Sequence, residues 1–193
     1  MRTSLSEVIL SHIRKFSGQL YTSTPAIVEA YHPEDCTVDV YPAIFRPDKD
    51  GIDTREPFLE RVPLHFQATQ ELGITYPVRK GDTVLLVFGM FDAENWLQSN
   101  KDFDFATTRR MHNINDAYAI AGVFKYNRSP VQSGTEQDLN IRYKDTFVRI
   151  KQNGDIEASS PTKISLSVGG NSTIVMDNNG ITLNAPRIDL NPE

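Results

Sequence analysis

Cysteine is nearly absent from this 193-residue chain, Cys36 being the single one. No intrachain disulfide and no thiolate metal cluster can form, and Cys36 is expected as a small buried apolar residue at the start of a strand. Histidine is almost as sparse, with His12, His32, His65 and His112 only. None has a second ligand at the spacing of a His-x-His or His-Glu-x-x-His site, so no metal and no cofactor are expected. A basic excess is missing: the formal charge is −5. That argues against a binder of phosphate backbones, which carries a basic face. Long apolar runs are missing too. The most apolar, Val84-Leu85-Leu86-Val87-Phe88, falls far short of the ~20 residues that a membrane-spanning helix needs. Ser6 and Glu7 interrupt the apolar stretch that a secretory signal would require. The chain is therefore expected to fold in a reducing cytoplasm.

What is present falls into four segments. Residues 1–18 read as an amphipathic helix. Ser4-Leu5-Ser6-Glu7 fits a capping box, Leu5, Val8, Ile9, Ile13 and Phe16 keep helical spacing, and Gly18 closes the run. Such a helix either packs on its own domain or docks as an arm on a partner. Residues 22–126 read as mostly strand. Ala26–Tyr31 and Thr37–Tyr41 are rich in β-branched and aromatic residues, with turn chemistry in His32-Pro33-Glu34-Asp35 between them. Arg46–Glu56 reads as a long exposed loop and Arg61–Phe66 as a third strand. Arg79-Lys80-Gly81-Asp82 turns tightly into the strand Thr83–Phe88, and Ala117–Phe124 is the fifth. Five short strands, with an excursion from Phe91 to Asn115 before the last, suit a small closed barrel of the OB type. Residues 127–138 have the polar composition of a linker.

The tail, residues 139–193, repeats itself. Val148-Arg149-Ile150-Lys151-Gln152-Asn153-Gly154-Asp155-Ile156 is echoed by Ile174-Val175-Met176-Asp177-Asn178-Asn179-Gly180-Ile181. Both copies run on through a proline, Pro161 or Pro186, into an alternating strand. The alternation puts Ile150, Ile156, Ile164, Leu166, Val168, Ile174, Met176, Ile181, Leu183, Ile188 and Leu190 on one face. Lys151, Asp155, Glu157, Lys163, Asp177 and Asp189 fall mostly on the other. Two repeats are too few to bury such a face alone. Burying about eleven of these side chains would contribute roughly 15–30 kcal/mol gross, at ~1.5–3 kcal/mol each. Only partners of the same pattern offer that burial, so the tail is expected to self-associate. Three copies wound about one axis would place the apolar set inside. No Phe, Tyr or Trp follows Phe147, which suits a narrow interior. The fold class is thus all-β: an OB-type barrel followed by an intertwined trimeric β-helix, with a short helix in front.

The order of barrel, polar linker and repetitive β tail resembles the central spike proteins of contractile phage tails, the baseplate assembly protein V-like group. Three stretches of the barrel carry the likeness: Arg61–Phe66, Pro77–Leu86 and Arg110–Gly122. The resemblance implies a homotrimer in the tail baseplate of the virion, assembled in the host bacterial cytoplasm. Its barrels would sit on a hub protein, and its needle would meet the host envelope transiently as it pierces it. Some spikes of the group carry a peptidoglycan-cleaving domain between barrel and needle. The gap from Phe124 to Leu139 has no room for one, so no enzyme is expected. Others end in a metal-bound apex built from His-x-His. Here Leu190, Asn191, Pro192 and Glu193 stand instead, and they are expected to form a blunt apolar end that docks a separate tip protein.

No catalytic constellation competes with this reading. Asp92, Glu94 and Asp116 are carboxylates without a pattern that selects an acid and a base, and Asp116 is expected as a turn or cap residue. The lone tryptophan, Trp96, is expected in the core beneath the barrel. Two alternatives belong to other classes. Trp96 as a stacking platform would make the chain an OB-fold binder of single-stranded nucleic acid. A trimeric receptor-binding tail fibre also has a β-helical stem, but it would need a recognition head.

Overall fold

A computed structural model describes residues 4–18, 20–47, 53–54, 56–126 and 137–188. The chain forms two compact units, residues 1–128 and 129–193.

The first unit opens with helix α1 (Leu5–Gly18). Its capping box is formed reciprocally: the Ser4 N–H donates to Glu7 Oε2 at 2.8 Å and the Glu7 N–H to Ser4 Oγ at 3.3 Å. No residue of α1 is buried, and Leu5 and Phe16 are among the exposed apolar side chains. Of its two expected roles, packing within its own unit is not the one observed.

Strands β1 (Ser23–His32) and β2 (Thr37–Pro42) form a hairpin, followed by a two-residue ladder of β3 (Arg46–Pro47) with β4 (Asp53–Thr54). Then come β5 (Leu59–His65), a second small ladder of β6 (Gln67–Ala68) with β7 (Gly73–Ile74), β8 (Thr83–Phe88), helix α2 (Glu94–Gln98) and β9 (Ala117–Ala121). The five longer strands close into a barrel in the order β1-β2-β5-β9-β8. All neighbours are antiparallel except β5 with β9. Alternation does the sorting: Val84, Leu86 and Phe88 of β8 point inward, to meet Val28 of β1 and Val38 and Val40 of β2 in the core. The turn into β8 is pinned as well as tight. Gly81 takes φ +92°, a region that favours glycine, while its N–H donates to the Val28 carbonyl and Asp82 caps the Arg79 N–H.

Two sequence expectations are corrected, for Cys36 and Trp96, and one, for Asp116, is extended. Cys36 is exposed, not buried, because the loop between β1 and β2 runs to residue 36 and leaves it at φ +55° outside the ladder. Trp96 is half-exposed on α2, its indole N–H donating to the Asp102 carbonyl at 3.2 Å, rather than packed under the barrel. Asp116 is the turn residue expected, its N–H bonding the Asn113 carbonyl at 3.1 Å, and it is also a buried ion-pair partner of Arg110.

The second unit is two three-stranded antiparallel meanders. The first holds β10 (Leu139–Tyr143), β11 (Thr146–Ile150) and β12 (Ile156–Ser159). The second holds β13 (Lys163–Val168), β14 (Ser172–Asp177) and β15 (Gly180–Asn184). No described residue of this unit is buried.

Candidate assembly surface

Residues paired directly across an antiparallel ladder share a face, so the register of the meanders decides which side chains act together. In the second meander Ile164 pairs with Met176, Leu166 with Ile174, Ile174 with Leu183, and Met176 with Ile181. Val168 lies on the same face, opposite Ser172. The reverse face carries Lys163, Ser165, Ser167, Thr173, Asp177 and Thr182, with Val175 its one apolar member. In the first meander Ile150 pairs with Ile156. Nine residues of the predicted set, Ile150 to Leu183, thus stand on one face of their sheets.

Ile188 follows β15 and lines, with Leu166, Val168 and Leu183, an apolar groove of about 620 Å³ on the second meander. Leu190, together with the rest of the proposed tip-docking end, Asn191, Pro192 and Glu193, lies outside the described residues.

The sequence reading missed one strand of this surface. Leu139 pairs with Ile150 and Ile141 with Val148, so β10 adds two branched side chains to the apolar face of the first meander. Their alternation with Asn140 and Arg142 was visible, but it stands next to the linker and outside the repeat. Phe147 falls on the reverse face, where the Arg149 guanidinium lies 5.0 Å from its ring centre. Arg149 also bonds Asn140 Oδ1 at 2.8 Å and faces Glu157 across the ladder. That network marks the reverse face as the wet one.

The turns follow local chemistry rather than the sequence echo. The first repeat crosses from Ile150 to Ile156 through a loop with Gly154 at φ +91°, whereas the second turns tightly from Asp177 to Gly180. The hairpin of β13 and β14 is closed by Gly169 and Gly170, both at positive φ.

As a face this surface is open. Val168 is 77% and Ile156 73% exposed. An isolated three-stranded sheet with one uncovered apolar face is at the margin of stability, and a contiguous apolar patch of this kind marks an interaction site.

The first unit holds the other candidate cluster. Arg110 donates to both oxygens of Asp116 (2.9–3.3 Å) and to Asp92 Oδ1 at 3.0 Å. Asp92 also accepts from the Thr108 N–H and hydroxyl and from the Glu94 N–H. Burial works to raise the Asp92 carboxyl, but these N–H and hydroxyl donors and the guanidinium outweigh it and hold it below its usual range. Bonding to Asp116, above all, raises Arg110. Both oxygens of Asp92 and both of Asp116 accept bonds from these neighbours, so the cluster clasps the excursion onto the barrel. Glu94 lends it a backbone N–H, not its carboxylate. His32 bonds Asp39 at 2.9 Å, and no group of three or more metal-binding side chains occurs among the described residues.

The family described as phage protein Gp138 N-terminal domain matches residues 24–122, the barrel with its excursion. No curated protein matches the chain.

Proposed function

The chain belongs to the phage protein Gp138 N-terminal domain family and is a phage structural protein, and from that premise we propose that it is the central spike of a contractile tail baseplate. In this reading it is a homotrimer without catalytic activity. Its barrels attach to a hub, and its tail sheets wind into a needle that pierces the host envelope. The observation that carries the reading is the one-sided register of the two meanders. Together they present strips of Ile, Leu, Val and Met, most of which stay exposed. The cyclic strand order, with only β5 and β9 parallel, supports the OB type for the barrel.

Three copies suit the observed faces. The exposed branched aliphatic side chains fill a narrow axial interior, and Lys163, Asp177, Arg149 and Glu157 are left on the outside. The two other classes fit less well. A nucleic-acid platform would place Trp96 before a basic surface, yet the indole is tied to the Asp102 carbonyl of its own loop, in a stretch of chain that also carries Glu94 and Asp104. A receptor-binding fibre would also trimerise, but the family match covers the barrel, and the described residues after it form two open meanders.

Light scattering on the purified full chain tests the reading. The expected mass is three times the 21.8 kDa of one chain, unchanged on tenfold dilution. A monomer at micromolar concentration would overturn it.

A further inference from the structure

Two apolar elements of the first unit lie uncovered, and the first is α1. Residues 4–17 are all exposed, so the stripe of Leu5, Val8, Ile9, Ile13 and Phe16 reaches no core. The root of the helix is nevertheless fixed. The Tyr21 N–H donates to the His112 carbonyl at 3.1 Å, its hydroxyl donates to Glu56 at 3.0 Å, and its ring centre stands 5.3 Å from that of Phe88. From this anchor back to Gly18 the chain spans about 11 Å at most. The 14 residues of α1 add about 21 Å. α1 is therefore a short arm rooted on the barrel, with a reach of about 30 Å, the diameter of a small domain.

The second element lies on the excursion. Phe103 and Phe105 are each 89% exposed, in the run Lys101-Asp102-Phe103-Asp104-Phe105. This run is stitched to α2: the Asn95 side-chain amide donates to the Phe105 carbonyl and the Trp96 indole N–H to the Asp102 carbonyl, each at 3.2 Å. The clasp of Arg110 on Asp92 and Asp116 holds the start of this segment to the barrel. With the half-exposed Trp96 and Leu97, the two phenylalanines gather four uncovered apolar side chains in one small, braced segment. The charges of the two elements are opposite. Lys15 stands on the edge of the α1 stripe, seven residues on from Val8. Asp102 precedes Phe103. Both are exposed, and neither forms a salt bridge among the described residues, whereas Asp104 is already paired with Lys101.

We propose that α1 of one copy docks on the α2 segment of a second copy, its stripe packing on Phe103 and Phe105 and Lys15 meeting Asp102. Within one chain neither surface covers the other. An arm exchanged between identical copies covers both in every copy, and three such arms around one axis close a ring. The inference rests on the homotrimer of the spike reading. The tail holds the three copies together, which raises the effective concentration of each arm for its neighbour, and the arm then fixes the barrels against one another.

The test is cross-linking of the full chain on a Cys36→Ser background, with Ser17→Cys at the end of the arm, Lys101→Cys beside the phenylalanines, and a short bis-maleimide as the probe. The double variant is expected to give covalent dimers and trimers on a denaturing gel, while either single variant stays monomeric there. Adding Phe103→Asp and Phe105→Asp, both at exposed sites, should cut that yield roughly tenfold and leave the trimer mass and the thermal midpoint unchanged. Lys15→Asp should lower the yield, and Asp102→Lys added to it should restore it. Covalent dimers from Ser17→Cys alone, the sign of helices bundling with each other, or from Lys101→Cys alone would overturn the proposal. So would cross-links confined within one chain, or a yield indifferent to the aspartate pair. Light scattering on the same samples separates the two readings: a monomeric parent chain overturns both, and a trimer that gives no mixed cross-link overturns the exchanged arm alone.

Discussion

The barrel and the tail use the same material in two ways. Both are built mainly of antiparallel ladders of alternating aliphatic and polar residues, and in both the register puts the aliphatic set on one face. The barrel curls that face onto itself, so Val28, Val38, Val40, Val84 and Leu86 are fully buried within one chain. Each tail meander has three strands and, among the described residues, no second layer, so Ile156, Leu166 and Val168 stay exposed. Alternation specifies which side is apolar. Strand number and closure specify whether the chain can cover that side alone. An element that cannot close must take its burial from elsewhere, and under the spike reading it takes it from two further copies.

Removing the tail gives the largest expected effect. A chain ending at Gln137 should lose the trimer and still unfold as a cooperative monomer, read by light scattering and by thermal circular dichroism. A truncated chain that remains as firmly trimeric as the full one would mean that the barrel is the assembly unit.

Point changes sharpen the contrast. Leu166→Asp would bring three carboxylates to one axis, where desolvation and mutual repulsion both oppose ionisation. Association should weaken about 100-fold or more, a free-energy change of roughly 2.7 kcal/mol or above, with the barrel's own unfolding unchanged. Leu86→Ala should do the reverse. It removes a fully buried side chain at a cost of about 2–5 kcal/mol, visible in urea unfolding at every protein concentration, and leaves the association constant alone. If either change moved both readouts equally, the two units would not be separate in energy.

A pH series separates the units in another way. Asp92 is held below the ordinary aspartate value of 3.8 in the folded chain, so its contribution is complete above about pH 4 and is lost as pH falls through the lower folded value. Asp92→Asn should therefore be less stable than the parent at pH 7, and the gap should narrow toward pH 3. A gap constant across that range would show that the carboxylate's charge is not what the clasp uses.

The smallest effect belongs to the wet face. Lys163 pairs directly with Asp177, so Lys163→Asp sets two carboxylates opposite each other at a cost of about 0.2–1 kcal/mol. A loss of the trimer from this change, comparable with that from Leu166→Asp, would show that the faces have been assigned the wrong way round.

Patterns of period and chemistry within a few residues were readable from the sequence alone. The capping box at Ser4 and Glu7, the strand Thr83–Phe88, the Gly81 turn and the apolar face of the tail repeat each depend on neighbours along the chain. Features that join distant segments were not. The spacing of Asp92, Arg110 and Asp116 says nothing of a clasp until the excursion folds back and stacks their charges. Trp96 is apolar enough for a core, but the closed barrel had already filled its interior with valine and leucine, so the indole stayed outside. Cys36 went to solvent because a loop ran one residue further than its composition suggested. Local hydrogen bonding and side-chain period are properties of the sequence, whereas closure, register between distant strands and the pairing of buried charges are settled only when the chain meets itself in space.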